Sequence, residues 1–536
     1  MANRRSRASG AELALLAALA AWAAFPLVLL LVHAAQTHTI FTGADGLIGA
    51  DGVLGADQLQ YLAWARDAGL HGLASDLFTL TPSGHVYLEP LFTITGALGR
   101  AGLSLPVAYL LWKPVAVIAL FLGAAAWARR LFEDQRAART ATVALSLFLC
   151  TPLAALFSWA QLGSRPLRFA LYLLEDELLG ASKLWGYVPS ALGLALVPVA
   201  LLAVERSIDP RGFGSPKTRM QSMTGGLGAL VVAFLASAVA SWLHPWQGIT
   251  LIVIYVGLAV WQRLQGMLTL ALAAIGAALP LAYYYLLSHG DPAWKLASHY
   301  EVIARLPALA LLLGFGPLLL LAGLGLRRPG AEVTEQALLL WIAACFVTYF
   351  VNDSFAAHGL QGLSFPFAVL VVRGGQRLRL PVLVGALGVA LLTIPGLAYG
   401  ARKFVNTAQG RTVQYYLPHP DAQALAWVAQ AAPAGGVLAP TPFATLVPSQ
   451  TGRNVWVGHG YWSRDYPDRA RQVDRLFRGR MRPALARSFV ESTGATLLIS
   501  DCAHHADLRQ TLGPRIGSVH IFGCARVYVL ARSARR

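Results

Sequence analysis

The chain has 536 residues, of which 56% are apolar and only 13% are charged, and its mean hydropathy is +0.54. Soluble proteins contain about half apolar and a quarter charged residues, so this composition excludes an ordinary soluble protein and indicates a membrane protein. The formal net charge of +17 comes from basic residues in short loops and in the last quarter of the chain. No RNA or DNA module accompanies them, so we expect anionic membrane lipids, and no nucleic acid, as partners.

A basic start with Arg4, Arg5 and Arg7 precedes an apolar run from residue 11 to residue 32. A signal peptide is one interpretation, but the run is longer than a typical signal-peptide core, so we predict a retained anchor. Either interpretation places the following segment outside the cytoplasm.

Hydropathy predicts a polytopic α-helical membrane protein with about eleven transmembrane helices, because about 30 Å of hydrocarbon requires roughly 20 apolar residues. These segments lie near 11–32, 107–127, 141–160, 188–204, 227–243, 248–261, 267–287, 307–326, 337–350, 362–372 and 382–398. If the N-terminus is cytoplasmic, every predicted inside loop carries arginine, as the positive-inside rule requires. We therefore predict a multi-pass protein of the plasma membrane with its first extracytoplasmic loop at 34–106.

The segment from residue 401 onward contains no further apolar span and is punctuated by proline and glycine. Residues 437–438, 454–457, 496–500 and 519–530 resemble strands, whereas 467–476 and 483–492 resemble helices. We predict a transmembrane domain at 1–400 and a small extracytoplasmic α/β domain at 401–536. Its excess of arginine fits a position against an anionic membrane surface, although an arginine-rich coding bias is an alternative.

The four cysteines fall into two groups. Cys150 and Cys345 lie within predicted spans and are expected to be small apolar side chains. Cys502 and Cys524 lie in the predicted exported domain, where an oxidising compartment favours a disulfide between them. No metal-ligand spacing of the Cys-x-x-Cys kind is present, so we assign no metal ligands and no definite cofactor; a divalent cation remains an alternative.

The first predicted outside loop contains the strongest candidate for chemistry. After a glycine-rich stretch, Asp57 begins a helical segment in which Tyr61, Trp64 and Ala68 share one face. Such a helix is expected to lie in the membrane interface, with Asp57 beside a lipid-borne substrate. A carboxylate there can act as a general base, but aspartate is also a preferred helix N-cap, so both interpretations stand.

Other polar residues in the outside loops are candidate substrate-binding residues. Each has an ordinary alternative, such as a solvated loop, an interfacial anchor, a structural histidine in a glycine-bounded turn or a charge that flanks a span. The candidates are Asp51, Tyr61, Glu175, Lys183, Trp185, His244, Gln247, His358, Arg402 and His459.

The arrangement of a long first outside loop with an acidic residue, further outside loops and a C-terminal domain resembles the GT-C superfamily of membrane glycosyltransferases. Several stretches are similar to a group of actinobacterial membrane proteins of this kind: 57–69, 185–187, 244–247, 451–460, 501–502 and 523–524. The resemblance implies a polyprenyl-phosphate sugar donor and a catalytic acid at Asp57. The chain departs from the superfamily pattern of two adjacent acids, because Gln58 follows Asp57.

The function that we expect is transfer of a sugar, mannose or another monosaccharide, from a polyprenyl phosphate to a lipid, glycan or protein acceptor. In this interpretation Asp57 is the base of an inverting reaction on the extracytoplasmic side, in cell-envelope biogenesis. A transporter or flippase of a lipid-linked intermediate is one alternative, although no internal repeat is visible. A non-catalytic partner with the GT-C fold is the other, because the second acid is missing.

Overall fold

The computed structural model describes residues 9–46, 53–208, 219–300, 305–327, 330, 332–351, 354–410 and 413–531. Most of these residues are helical. Backbone contacts divide the chain into two compact units, each built from three segments. Unit 1 comprises Met1–Phe25, Lys113–Tyr285 and Val302–Lys403, and unit 2 comprises Pro26–Trp112, Leu286–Glu301 and Phe404–Arg536. The unit that contains the C-terminal segment therefore also contains the first predicted outside loop.

The helices of the first 410 residues are of very different lengths. They are α1 Gly10–Gln36, α2 Val53–His71, α3 Pro90–Arg100, α4 Leu105–Leu110, α5 Trp112–Leu131, α6 Arg136–Phe148, α7 Pro152–Trp159, α8 Arg165–Leu178, α9 Val188–Ile208, α10 Arg219–Leu243, α11 Pro245–Trp261, α12 Met267–Gly290, α13 Pro292–Tyr300, α14 Ala308–Gly325, α15 Val333–Val351, α16 Ser364–Arg377 and α17 Val382–Ala408.

Eight segments within the described residues are long and apolar enough to cross a membrane. They are α1, the pair α4 and α5, α9, part of α10, α12, α14, α15 and α17. The pair α6 and α7, which is bent by 48°, would make a ninth. The other two expected spans fall in helices of 17 and 14 residues, α11 and α16, so the count of about eleven stays a prediction.

Short elements of unit 1 carry its polar residues. Helix α8 begins after Ser164, whose hydroxyl accepts a hydrogen bond from the Leu167 N–H, and it has a proline in its first turn. A 3₁₀ helix at Gly180–Leu184 follows, and Ser182 Oγ donates to Asp176 O at 2.8 Å. A second 3₁₀ helix lies at Ala356–Leu360. These turns fix Lys183 and His358 in rigid backbone.

Unit 2 contains two small sheets. Strand β1, Thr39–Phe41, pairs antiparallel with β2, Tyr416–Pro418, and aligns Thr39 with Pro418. The second sheet has the order β3-β4-β6-β5, in which β3 and β4 are parallel and the other pairs antiparallel. Its strands are β3 Val437–Leu438, β4 Leu497–Ser500, β5 Ile516–Phe522 and β6 Ala525–Leu530.

Helices pack around this second sheet: α18 His419–Gln430, α19 Leu446–Thr451, α20 Tyr466–Phe477, α21 Pro483–Thr493 and α22 Leu508–Leu512. The core joins Phe477 and Val490 of the helices to Leu498 and Tyr528 of the strands. The stretch expected as one strand at 519–530 is a hairpin, because it turns at Gly523 (φ +58°). The expected strand at 454–457 makes only an isolated bridge, between Val455 and Val437.

A disulfide joins Cys502, which follows β4, to Cys524 in the hairpin turn between β5 and β6, and the two Cα atoms are 4.9 Å apart. The other two cysteines, Cys150 and Cys345, are free and buried. The bridge links the end of one strand to the turn of a neighbouring hairpin.

Helix α2 is packed inside unit 2. Most of its residues are buried in protein, because it packs closely on α3. A Cβ on Gly96 would stand 2.2 Å from the Ala65 carbonyl oxygen, so only glycine permits this approach. Trp64 is only 5% exposed, so the aromatic face packs against protein and does not face lipid; the position of the helix in the membrane interface stays a prediction.

Candidate functional site

Asp57 and His459 meet within unit 2, although 402 positions separate them in the sequence. His459 Nε2 lies 3.1 Å from Asp57 Oδ1. The histidine side chain is fully buried, whereas the Asp57 side chain keeps 18% of its surface exposed. Helix α2 begins at Val53, so Asp57 lies in its second turn and the N-cap interpretation is wrong.

The hydrogen bonds of His459 assign its tautomer. Its Nδ1 accepts a hydrogen bond from the Tyr461 backbone N–H at 3.2 Å, so Nδ1 carries no proton. The ring proton is therefore on Nε2, which donates to Asp57. A histidine in this state cannot accept a proton at Nε2. The carboxylate is the acceptor of this pair.

The turn that carries His459 is held by Ser463. The Ser463 hydroxyl oxygen accepts hydrogen bonds from the backbone N–H groups of Gly458 (3.0 Å) and His459 (3.3 Å), and the hydroxyl donates to Phe78 O at 3.0 Å. A Cβ on Gly458 would stand 3.0 Å from Phe78 Cδ1, so a small residue is needed there. His459 therefore lies in a glycine-bounded turn and also contacts the candidate base.

Gln58, which replaces the second acid of the superfamily pattern, has a structural role. Its side-chain oxygen accepts hydrogen bonds from the backbone N–H groups of Asp45 (2.8 Å) and Gly46 (2.7 Å). Its side chain is buried, so the amide orders the segment that leads to α2. Asp51 lies outside the described residues.

Aromatic rings from all three segments of unit 2 surround the same helix. Trp64 lies near Tyr87, Trp294 and Trp462, with ring centroids 4.7, 5.7 and 5.1 Å away. Tyr61 is half-buried and stacks on Phe92 at 5.2 Å. These contacts hold α2 in place. Tyr61, which lies one helical turn after Asp57, is therefore packed against other protein side chains.

A second polar cluster lies within unit 1 and is centred on Glu177. Lys183 Nζ lies 2.9 Å from Asp176 Oδ2 and 3.1 Å from Glu177 Oε2. His358 Nδ1 lies 2.8 Å from Glu177 Oε1, and Gln361 Nε2 donates to Glu177 Oε2 at 2.6 Å. Burial alone would raise the pKa of Glu177, but the charges of His358 and Lys183 and the hydrogen bonds hold its pKa below the ordinary value.

His244 and Gln247 adjoin this cluster at the start of α11. The His244 ring is 5.4 Å from the His358 ring, and Gln247 Nε2 donates to Gln361 O at 3.4 Å. Burial lowers the pKa of His244 well below its ordinary value, so its ring is neutral. Within the described part of the chain, four buried polar atoms here have no hydrogen-bond partner: His244 Nδ1, Trp246 Nε1, Gln247 Oε1 and Gln361 Oε1.

Such orphaned atoms are rare and costly in folded proteins, and they mark a place where a polar ligand or water would be held. The cluster already contains two carboxylates against one lysine. A hydroxyl group can both donate and accept hydrogen bonds, so it can pair with these unpaired donors and acceptors. An anion would be repelled by the two carboxylates nearby.

The remaining predicted residues of unit 1 make contacts of other kinds. Burial raises the pKa of Glu175 to about 8, and a Cβ on Gly396 would meet its carboxyl group. Trp185 stacks on Trp22 at 4.1 Å and donates to Trp22 O. The Arg402 guanidinium lies 4.9 Å from the Trp159 ring centroid. These contacts are structural packing.

Sequence reasoning missed Glu177 and Gln361 as site residues. Glu177 was visible only as one of three consecutive acids, and its partner Gln361 is 184 positions away. The lysine six residues after Glu177 was the one local signal that a charge pair would form.

The chain is similar to several solved structures, of which three are described. The apo crystal structure of the Archaeoglobus fulgidus oligosaccharyltransferase matches with a TM-score of 0.54 and 13% identity, over 98% of this chain and 75% of that chain. ArnT from Cupriavidus metallidurans bound to undecaprenyl phosphate matches with a TM-score of 0.48 and 12% identity, over 95% and 98%. AglB from Archaeoglobus fulgidus, in complex with an inhibitory peptide and a dolichol-phosphate, matches at 0.43 and 14%, over 97% and 74%.

No known family model and no curated protein matches the chain. The first of these matches shows that the chain shares the fold of the Archaeoglobus fulgidus oligosaccharyltransferase. Together with the eight apolar helices, this fold makes the chain a membrane protein.

Proposed function

We propose that this chain is a membrane glycosyltransferase that moves a sugar, mannose or another monosaccharide, from a polyprenyl-phosphate donor to a lipid, glycan or protein acceptor. The shared GT-C fold supports the reaction class. The observation that carries the proposal is the Asp57 carboxylate, partly exposed and fixed by a buried histidine at 3.1 Å.

In the proposed reaction Asp57 is the general base. The acceptor hydroxyl oxygen attacks the anomeric carbon while its proton passes to the Asp57 carboxylate. The bond between that carbon and the phosphate oxygen breaks, and the polyprenyl phosphate leaves with the bonding electrons, so the configuration inverts. Because His459 donates to Oδ1, it orients the carboxylate without competing for the proton. We assign no definite cofactor to this reaction, and a divalent cation stays the alternative.

For the cluster in unit 1 formed by His244, Trp246, Gln247 and Gln361, with His358 beside them, we propose a role in binding the hydroxyl groups of a carbohydrate ligand. The four unpaired polar atoms of this cluster are the donors and acceptors that sugar hydroxyls need. Lys183 is neutralised by Asp176 and Glu177, so its proposed role is to hold those carboxylates in place. Arg402, which is exposed, keeps its proposed role as a phosphate-binding cation.

The proposed topology follows from the charge pattern of the loops. In this topology the N-terminus lies in the cytoplasm. Residues 1–400 form the transmembrane domain, and residues 401–536 form a domain on the extracytoplasmic side of the plasma membrane, where the reaction takes place. Membrane lipids and the lipid-linked donor are the proposed partners. We also propose that the chain is related to the actinobacterial GT-C-like membrane proteins that its sequence resembles.

Gln58 favours a second candidate, a non-catalytic partner with the GT-C fold. Its amide is committed to two backbone N–H groups, so the position that carries a second acid in the superfamily pattern contributes no charge. In that case the chain would bind the lipid-linked sugar without transferring it.

The test is a transfer assay with the full-length chain in lipid nanodiscs, with radiolabelled mannosyl polyprenyl phosphate as donor and extracted membrane lipids as acceptor. Asp57→Asn keeps the size of the side chain and an oxygen that accepts from His459, but it cannot act as a base. We expect this variant to fold and to lose transfer by about 10²- to 10⁴-fold.

The matched control is Asp468→Asn, which removes an acid that is 67% exposed in the same unit. It is expected to leave transfer unchanged. Full transfer by Asp57→Asn would reject the general-base assignment. Wild-type protein that binds the donor but transfers no sugar to any acceptor class would support the non-catalytic candidate.

A further inference from the structure

Three metal-ligating side chains meet at the C-terminal end of α2, ten residues beyond Asp57. His71 Nδ1 lies 2.8 Å from Asp67 Oδ1, and His85 Nδ1 lies 3.1 Å from Asp67 Oδ2. The two imidazole rings stack with centroids 3.8 Å apart. One ligand atom from each residue lies within 4.8 Å of the other two. One carboxylate and two imidazoles therefore face a common point.

The backbone builds this arrangement. Asp67 and His71 are one helical turn apart on the last turns of α2, so their side chains share a face. Gly72 ends the helix at φ +85°, and the chain then forms a loop. An antiparallel bridge between Ala74 and Tyr87 closes that loop, with hydrogen bonds of 2.9 and 3.0 Å. Closure returns His85 to the side of His71.

A second set of contacts holds the carboxylate. The Ser75 backbone N–H and hydroxyl both donate to Asp67 Oδ2, at 2.7 and 2.8 Å. Metal sites in proteins characteristically fix their ligands through such outer hydrogen bonds. Asp67 is nearly buried, with 6% of its side chain exposed, whereas His71 and His85 are 47% and 39% exposed. The carboxylate is thus rigid, and the two rings are open to an arriving ion.

We propose that Asp67, His71 and His85 form a binding site for a divalent transition-metal ion of the zinc class. Two imidazoles and one carboxylate are a common protein ligand set for zinc, with water in the fourth position. Ligand atoms on one tetrahedral zinc lie roughly 3.3 Å apart, given bonds of about 2.0 to 2.1 Å. The two histidine nitrogens already lie 2.8 and 3.1 Å from Asp67 oxygens, and the three ligand atoms lie within 4.8 Å of one another, so the proposal requires the exposed rings to adjust around the ion. The bound ion joins the end of α2 to the loop that leads to α3.

The site is separate from the proposed transfer chemistry, and its test does not use transfer. The full-length chain, without a histidine tag, is stripped with chelator and titrated with zinc chloride by isothermal calorimetry. We expect one zinc per chain, together with a higher unfolding temperature in its presence. X-ray absorption should show nitrogen and oxygen ligands at about 2.0 to 2.2 Å.

The decisive variants are His71→Ala and His85→Ala, because the side chains are 47% and 39% exposed and their removal is expected to leave the fold intact. Each should weaken zinc binding at least about tenfold, since even the loss of an outer partner costs that much. His505→Ala, which removes another exposed histidine of unit 2, is the matched control and should bind as the wild type does. Wild-type affinity in both decisive variants, or no zinc bound by the intact chain, would overturn the proposal.

Discussion

Glu89 offers a quantitative test of how unit 2 is built. Its carboxyl group precedes α3 and accepts a hydrogen bond from the Phe92 N–H at 2.7 Å, while Oε1 is buried with no hydrogen-bond partner among the residues that the structure describes. Burial raises the pKa of Glu89 to about 8, against an ordinary value of 4.5. An acid of this kind stabilises the fold fully below pH 4.5, and the contribution is lost as the pH rises towards 8.

The size of the effect follows from that difference of about 3.5 in pKa. One pKa unit corresponds to about 1.36 kcal/mol, so ionisation of Glu89 lowers the free energy of unfolding by up to about 5 kcal/mol. Glu89→Gln keeps an oxygen for the Phe92 N–H but cannot ionise. The free energy of unfolding of this variant should therefore not fall between about pH 4.5 and pH 8 through ionisation at this position. Any fixed cost of the buried amide lowers that free energy by a constant amount, which does not depend on pH.

The measurement is thermal unfolding of the detergent-purified chain, followed by tryptophan fluorescence at pH 5 and pH 8.5. The wild type should unfold at a clearly lower temperature at pH 8.5, and Glu89→Gln should show a much smaller difference. Glu133→Gln, which changes an exposed acid, should behave as the wild type does. Equal pH dependence in Glu89→Gln and the wild type would refute the reasoning.

Replacing Cys502 and Cys524 by serine opens a loop of 22 residues and should lower the free energy of unfolding of unit 2 by on the order of 3 kcal/mol, measured by denaturant titration; an unchanged midpoint would contradict it. His459→Gln, whose amide can still donate to Asp57, should keep more transfer activity than His459→Leu, and the difference should appear in kcat rather than KM; equal loss in both would reject a positioning role. In intact cells an impermeant maleimide should label Ser492→Cys but not Asp134→Cys, because both sites are exposed and the native free cysteines are buried; the reverse pattern would invert the topology.

Local pattern was sufficient for much of the fold. Apolar length predicted eight of the segments that the structure contains as long apolar helices, because a spanning helix satisfies its own backbone and needs no distant partner. Proline positions likewise predicted the starts of α20 and α21, and the residue types at 437–438 predicted strand β3. The ends of the strands were harder to predict where a single turn residue sets them. Gly523, for example, divides one expected strand into the two strands of a hairpin.

The candidate site was decided by tertiary structure. Sequence alone nominated Asp57 and His459 separately, but only the fold brings them to 3.1 Å and assigns the donor and the acceptor. The aromatic face of α2 was predicted to face the membrane interface. The sequence does not show that Trp294 and Trp462, which are distant along the chain, pack against Trp64 on that face. Residue type and spacing determine which chemistry is available to a chain. Which of those groups share a hydrogen bond depends on contacts between distant segments, and these form only when the core packs.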